Sequence, residues 1–239
     1  MSSNIFINDF LEDKQNASKS NLSVTKNNCV RISENIIDIN PVPIFVKAQI
    51  NDYIEINNEF HILAENMSEE NLYINKNQDP NKKHGIFTSQ NAYVPYNNIL
   101  SNDNIYITLL KSHIMKGIGE LVTTLYNYNG EFKYTILNSW IQKYKNGTFL
   151  SPHNHISSNN TNNKIFSVAY YIDDGDPDTS QTFSGCISFI SNNNLIHFRP
   201  KSGTLLIWED HLIHLVNPFY SNSNKERFML STNISVEFS

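Results

Sequence analysis

Two stretches of this 239-residue chain hold side chains whose type and spacing could do metal chemistry. Ser151-Pro-His153-Asn-His155 carries two histidines two positions apart, and Trp208-Glu-Asp-His211-Leu-Ile-His214 carries two more. In an extended segment residues i and i+2 project to the same face, so the imidazoles of His153 and His155 can reach one ion. A third histidine from a distant strand would complete a set on one side of the metal. Imidazole suits iron, copper, nickel and zinc, and a one-sided set leaves positions open for a co-substrate and O2. A lone His-x-His has low specificity, so the weight falls on the residues downstream of it. Arg227 stands 13 positions after His214, at the head of the run Arg-Phe-Met-Leu-Ser-Thr-Asn-Ile-Ser-Val. Inside a sandwich a guanidinium needs an anionic partner, which a dicarboxylate ligand would supply. On the surface, Glu226 or Glu237 would serve instead.

The elements that must position these groups change character along the chain. Residues 1–40 are rich in Ser and Asn and read as a weakly ordered lead-in, with one short helix over the amphipathic stretch Ile5 to Leu11. Pro41-Val-Pro-Ile-Phe-Val-Lys-Ala reads as a strand opened by prolines at a sheet edge. Tyr53 to Leu72 and Asn104 to Tyr126 have helical apolar spacing, with a polar loop between them. From Lys133 onward short apolar runs alternate with turn residues. Strands are expected at Tyr134–Tyr144, Ile165–Ile172, Gly185–Ile190, Leu195–Phe198, Thr204–Trp208, His214–Val216 and Arg227–Glu237. The expected fold is mainly β with helices (α+β): helices from the first half, at about 53–126, packed on one face of a β-sandwich formed by the second. Residues 41–239 are expected to form one domain.

Composition removes several classes. Lys+Arg 18 against Asp+Glu 23 gives a net charge of -5 without long like-charged runs, which predicts no nucleic-acid or anionic-membrane partner. The 2 cysteines, Cys29 and Cys186, lie far apart, which excludes a thiolate zinc knot or a disulfide scaffold and predicts a reducing, cytoplasmic setting. No apolar leader or membrane span is expected. A Gly-x-Ser-x-Gly nucleophile motif and a Gly-rich phosphate loop are both missing, which disfavours a serine hydrolase or a nucleotide-phosphate site. The sequence leaves a homodimer open.

In the order of its motifs, the chain from about residue 41 to 238 resembles the non-haem Fe(II) and 2-oxoglutarate-dependent oxygenases, and within them a group common in marine bacteria and phages. Pro41-Val-Pro-Ile-Phe is similar to that group's opening strand, and Asn138-Ser-Trp-Ile-Gln-Lys-Tyr-Lys-Asn-Gly to the strand and turn before its metal motif. His153-Asn-His155 is similar to the motif itself, and Phe166-Ser-Val-Ala-Tyr-Tyr-Ile to the strand after it. Phe198-Arg-Pro-Lys-Ser-Gly-Thr-Leu-Leu-Ile-Trp and the block from His214 through Arg227 resemble the closing motifs. The resemblance implies a double-stranded β-helix, or jelly roll, in which His153, His155 and His214 bind Fe(II). It implies that Arg227 pairs with the distal carboxylate of 2-oxoglutarate, while Tyr144 and Tyr171 line that pocket. The implied reaction uses O2 to hydroxylate a C–H bond of a small-molecule or amino-acid/peptide substrate, releasing succinate and CO2. His214 is preferred to His211 because it aligns with the distal histidine of the family.

Two departures bear on this reading. His155 stands where most of the superfamily has Asp or Glu, although His-x-His is frequent in the narrower group. It is open to three readings: the third ligand, a residue just outside the ligand set, or a sign of another metal. Met229 stands where many relatives have Ser, two residues after the Arg. Two other classes compete: a three-histidine cupin-type dioxygenase that uses no oxo acid, for which Arg227 has no purpose, and a non-catalytic binding protein stabilised by a closed metal site. The loops at 73–100 and 173–184 are expected around the pocket mouth. The aspartates of the second, Asp173, Asp174, Asp176 and Asp178, are read as an acidic turn rather than a binding site.

Overall fold

The computed structural model describes residues 35–38, 43–65, 98–156, 163–191 and 194–238, together with the short strands at 4–6, 23–24, 31–32, 73–74 and 87–88. The strands are β1 Asn4–Phe6, β2 Ser23–Val24, β3 Arg31–Ile32, β4 Ile36–Asp38, β5 Pro43–Lys47, β6 Tyr73–Ile74, β7 Phe87–Thr88, β8 Phe132–Tyr144, β9 Leu150–His153 and β10 Lys164–Asp173. They continue as β11 Ile187–Ser191, β12 Asn194–Phe198, β13 Leu205–Glu209, β14 His214–Val216 and β15 Arg227–Phe238. Two helices, α1 Tyr53–Glu65 and α2 Ile105–Tyr126, precede β8.

Among these residues the strands form a ten-stranded sheet, β2-β3-β4-β5-β13-β10-β15-β8-β7-β6, and a five-stranded sheet, β1-β12-β11-β14-β9. Period-2 alternation gives the larger sheet two different faces. On β15, Phe228, Leu230, Ile234 and Val236 join a core cluster with Ile56 and Phe60 of α1 and Ile107, Leu110, Ile114 and Ile118 of α2. The alternate residues Arg227, Met229, Ser231 and Asn233 turn the other way. On that side Tyr144, Tyr171, Leu206, Trp208 and Met229 share a second cluster with Ile187, Phe189, Ile196 and Val216 of the smaller sheet. A one-residue slip of β15 would exchange the two sets, so this register is strongly specified by burial.

Local chemistry explains the helix ends. The Asn104 side chain accepts from the Tyr106 N–H at 2.8 Å, capping α2, and Asn127 closes it in the left-handed region at φ 50°. Gly117 in α2 permits close packing on the sheet: a Cβ there would lie 2.6 Å from the Ile207 side chain and 2.8 Å from that of Phe45.

Two expectations meet a different structure. The proline-opened strand is interior, with β5 paired to β4 on one side and β13 on the other. Pro43 is tolerated because it is the first residue of the strand, where its missing N–H breaks no ladder. The stretch expected as a helix over 5–11 begins extended, since Asn4–Phe6 pairs parallel with Leu195–His197; residues 7–11 lie outside the described residues. The helix expected over 53–72 is present over Tyr53–Glu65, and 66–72 lie outside them too. Within the 73–100 loop, β6 pairs with β7, which extends the sheet from β8. The aspartates at 173–178 cap their own turns: Asp173 accepts from Gly175 N, Asp174 from Asp176 N and Asp178 from Ser180 N.

Candidate metal centre and a buried arginine

His153 closes β9 and His214 opens β14, and the two are direct partners in the antiparallel register. His155 lies just beyond β9, where its backbone N–H donates to the Asp210 carbonyl at 2.9 Å. The three rings come together, with centroids 4.3 Å apart for 153 and 214, 5.2 Å for 153 and 155, and 5.1 Å for 155 and 214. One ligand nitrogen from each lies within 4.8 Å of the others. His211 is elsewhere, half exposed, with Nδ1 3.7 Å from a Glu209 oxygen.

The second nitrogen of two rings is already committed. Nδ1 of His153 lies 2.8 Å from the Ser151 carbonyl oxygen, and Nδ1 of His214 3.0 Å from that of Leu212. A carbonyl only accepts, so each Nδ1 carries its proton and Nε2 is the unprotonated nitrogen, the tautomer a metal requires. Burial and the neighbouring His153 bring His155 down to about 4, and burial holds His214 well below its ordinary value. Both rings are therefore neutral near pH 7, as ligation demands. Trp208 packs edge-on against His214 at 4.8 Å.

Arg227 lies opposite Tyr144 in the β15–β8 register and is fully buried. None of its three guanidinium nitrogens has a hydrogen-bond partner among the described residues. Its guanidinium lies over two rings, Tyr171 at 5.4 Å and Phe219 at 5.0 Å. The space it occupies depends on Gly185 at φ 64°, where a Cβ would lie 2.3 Å from Nη2. The buried Tyr171 hydroxyl also lacks a partner; burial pushes its pKa up to about 12, so it stays a donor. Tyr144 instead donates to Gln142 Oε1 at 3.2 Å. A buried cation and a buried O–H, both unmatched, fit a carboxylate, because an unpaired buried charge is otherwise prohibitive.

The pocket between the sheets is lined by the three histidines, Tyr144 and Tyr171, and also by Trp140, Gln142, Ser167, Trp208, Ser231 and Asn233. Sequence reasoning missed this second group. The signal was alternation: stepping by two from Tyr144 reaches Gln142 and Trp140, and from Arg227 reaches Met229, Ser231 and Asn233. Two other histidines lie elsewhere. His197 is buried with Nδ1 2.6 Å from Ser188 Oγ, and His61 lies 3.8 Å from Asp173.

Residues 139–235 match the model of the 2OG-Fe(II) oxygenase superfamily. No curated protein sequence matches the chain. Among solved structures, a prolyl-4-hydroxylase from Pseudomonas putida is similar at 12% identity, covering 84% of this chain and 96% of that one with a TM-score of 0.56. A Trichoplax adhaerens prolyl hydroxylase, solved with a hypoxia inducible factor peptide fragment, shows 16% identity over 83% and 85% of the two chains at 0.52. HygX from Streptomyces hygroscopicus, with nickel, 2-oxoglutarate and hygromycin B bound, shows 9% identity over 80% and 82% at 0.53. At these identities the structural likeness shows the fold. The matched residues 139–235 contain the histidine cluster and Arg227.

Proposed function

We propose that this chain is an Fe(II)- and 2-oxoglutarate-dependent dioxygenase that hydroxylates a C–H bond of a small-molecule or amino-acid/peptide substrate and releases succinate and CO2. The observation that carries the reading is Arg227, a fully buried cation with no hydrogen-bond partner, in the same inter-sheet layer as the three-histidine cluster. The two facing sheets support a double-stranded β-helix with α1 and α2 on one face, and residues 41–239 are read as one domain into which the short strands β1–β4 also pair.

His153, His155 and His214 would hold the metal through neutral imidazoles. When bound with 2-oxoglutarate and O2, Fe(II) supplies oxidative decarboxylation of the cosubstrate and oxidation of the substrate C–H bond. The chain's own residues position and shield. Arg227 and the Tyr171 hydroxyl receive the far carboxylate of 2-oxoglutarate, while Tyr144 and Met229 line the same floor. Met229 offers no hydroxyl, so Arg227 and Tyr171 carry that carboxylate between them. Trp208 and Phe189 wall the ring of His214 from solvent.

The substrate class is supported by the two ligand-bearing neighbours, one solved with a peptide and one with hygromycin B. No helix among the described residues is long and apolar enough to cross a membrane, and the two widely separated cysteines support a reducing, cytoplasmic setting. A three-histidine cupin-type dioxygenase and a metal-stabilised binding protein both leave Arg227 without an anion. The test is succinate formation from 2-oxoglutarate with Fe(II) and O2 over a substrate library. Activity should be metal-dependent and absent in Arg227→Ala; equal activity in that variant would sink the reading.

A further inference from the structure

Three features of the pocket wall between the histidines and the far end of β8 constrain what can enter it. First, none of its lining residues among the described residues is Asp, Glu, Lys or Arg. With three neutral imidazoles and no carboxylate ligand, an Fe(II) dication, a 2-oxoglutarate dianion and the Arg227 guanidinium would sum to +1. A cationic substrate group here would lose its water without gaining a counter-charge and would meet that excess positive charge. Second, polar side chains of the wall bond to one another or, for Asn233, also to Asn138 on β8. Ser167 Oγ donates to Asn233 Oδ1 at 3.1 Å, Ser231 Oγ to Gln142 Oε1 at 3.2 Å, and Asn233 Nδ2 to Asn138 Oδ1 at 3.1 Å. Their acceptors are thus engaged.

Third, besides the Tyr171 hydroxyl, two buried donors are left over. The indole Nε1–H groups of Trp140 and Trp208 have no partner among the described residues, although both side chains are only 3% exposed and line the pocket. Buried indole N–H groups ordinarily find an acceptor, since leaving one unmet forfeits its bond to water without replacement. Both tryptophans also offer flat apolar surface.

We infer that Trp140 and Trp208, both on the larger sheet's wall of the pocket, form a substrate subsite that takes an uncharged group bearing a hydrogen-bond acceptor, an amide carbonyl or a hydroxyl. Free ammonium groups are kept out of the reacting end. An internal or capped amino-acid residue, or a neutral sugar ring, fits; a free amino acid entering by its ammonium end does not. The inference rests on the oxygenase reading above and adds the chemistry of the substrate's reacting end.

The test uses the anaerobic protein with Fe(II) and 2-oxoglutarate, whose charge-transfer absorption reports cosubstrate binding and shifts when substrate enters. The probes are N-acetyl amino-acid methylamides and methyl glycosides, set against free amino acids and amino sugars. Uncharged probes should shift the band, with their charged counterparts at least tenfold weaker. Trp140→Phe, which keeps the ring and deletes the N–H, should weaken the best probe about 3- to 10-fold while the band itself is unchanged. Gln142→Glu, which preserves the acceptor used by Tyr144 and Ser231, should instead favour amine-bearing probes. Charged probes binding the wild-type protein as well as neutral ones would overturn the inference, as would a protein that forms the band but responds to no probe. A protein that forms no band fails the oxygenase reading, and the subsite with it.

Discussion

Replacing Arg227 with methionine should make the cosubstrate-free protein more stable while destroying its response to 2-oxoglutarate. Arg227 is 0% exposed and its three nitrogens are unpartnered. Its compensation is two ring contacts, Tyr171 at 5.4 Å and Phe219 at 5.0 Å, each worth about 0.5–2 kcal/mol. An unpaired buried ion costs several kcal/mol even after relaxation. An apolar chain of similar length in the same slot should therefore gain on the order of 1–4 kcal/mol. For a chain of this size that corresponds to a rise in Tm of about 2–4 °C per kcal/mol. The wild-type protein recovers the deficit by binding. With metal present and 2-oxoglutarate at about 100 times its Kd, linkage adds about 2.7 kcal/mol. Thermal unfolding with and without cosubstrate, on wild type and Arg227→Met, checks both halves. A variant that unfolds at lower temperature than wild type without cosubstrate, or that keeps the 2-oxoglutarate shift, would refute the reasoning.

Tyr171→Phe deletes a hydroxyl that has no partner in the protein, so stability should change little while KM for 2-oxoglutarate rises about 3- to 10-fold, as steady-state succinate kinetics would show. Gly185→Ala puts a Cβ 2.3 Å from Arg227 Nη2 at a φ of 64°; it should both destabilise the protein, by about 1–3 kcal/mol in denaturant titration, and raise that KM. In the metal-free protein stability should fall on acidification. Burial brings His197 down to about 4 from 6.5, so between these values the unfolded chain takes a proton that the folded one refuses. This contribution is present above pH 6.5 and is lost as pH falls toward 4, with a slope of at most about 1.4 kcal/mol per pH unit. His155 shifts in the same direction. The slope of Tm against pH should be shallower in His197→Gln.

The legible part of the fold was the part written in periodicity and turn chemistry. The i, i+3, i+4 spacing from Ile107 to Val122 specified α2 to within a residue, and turn residues such as Asn146-Gly147 and Ser202-Gly203 bounded the strands from β8 to β15. Strand existence follows from local pattern, whereas pairing is a property of distant segments. The direct His153–His214 register and the Arg227–Tyr144 partnership could therefore be expected from a resemblance but not from either segment alone. Pro43 shows the same limit: a proline tells that one N–H is missing, and only the assembled sheet tells that the first position of an interior strand can spare it. Trp140 lies within the 138–147 stretch that carries the resemblance, where nothing in the sequence gives it a role of its own. Its position on the pocket side of β8 and the lack of an acceptor for its N–H emerge only when both sheets are in place.

The central claim is that three histidines and one buried arginine assemble a single site for Fe(II) and 2-oxoglutarate. Its most direct test is the absorption spectrum of the anaerobic protein as the two are added. A metal-to-ligand charge-transfer band should appear only when both are present, vanish in His214→Ala, and persist in His211→Ala, whose ring faces Glu209 outside the cluster. A wild-type protein without the band, or a band lost in His211→Ala and kept in His214→Ala, would contradict the account.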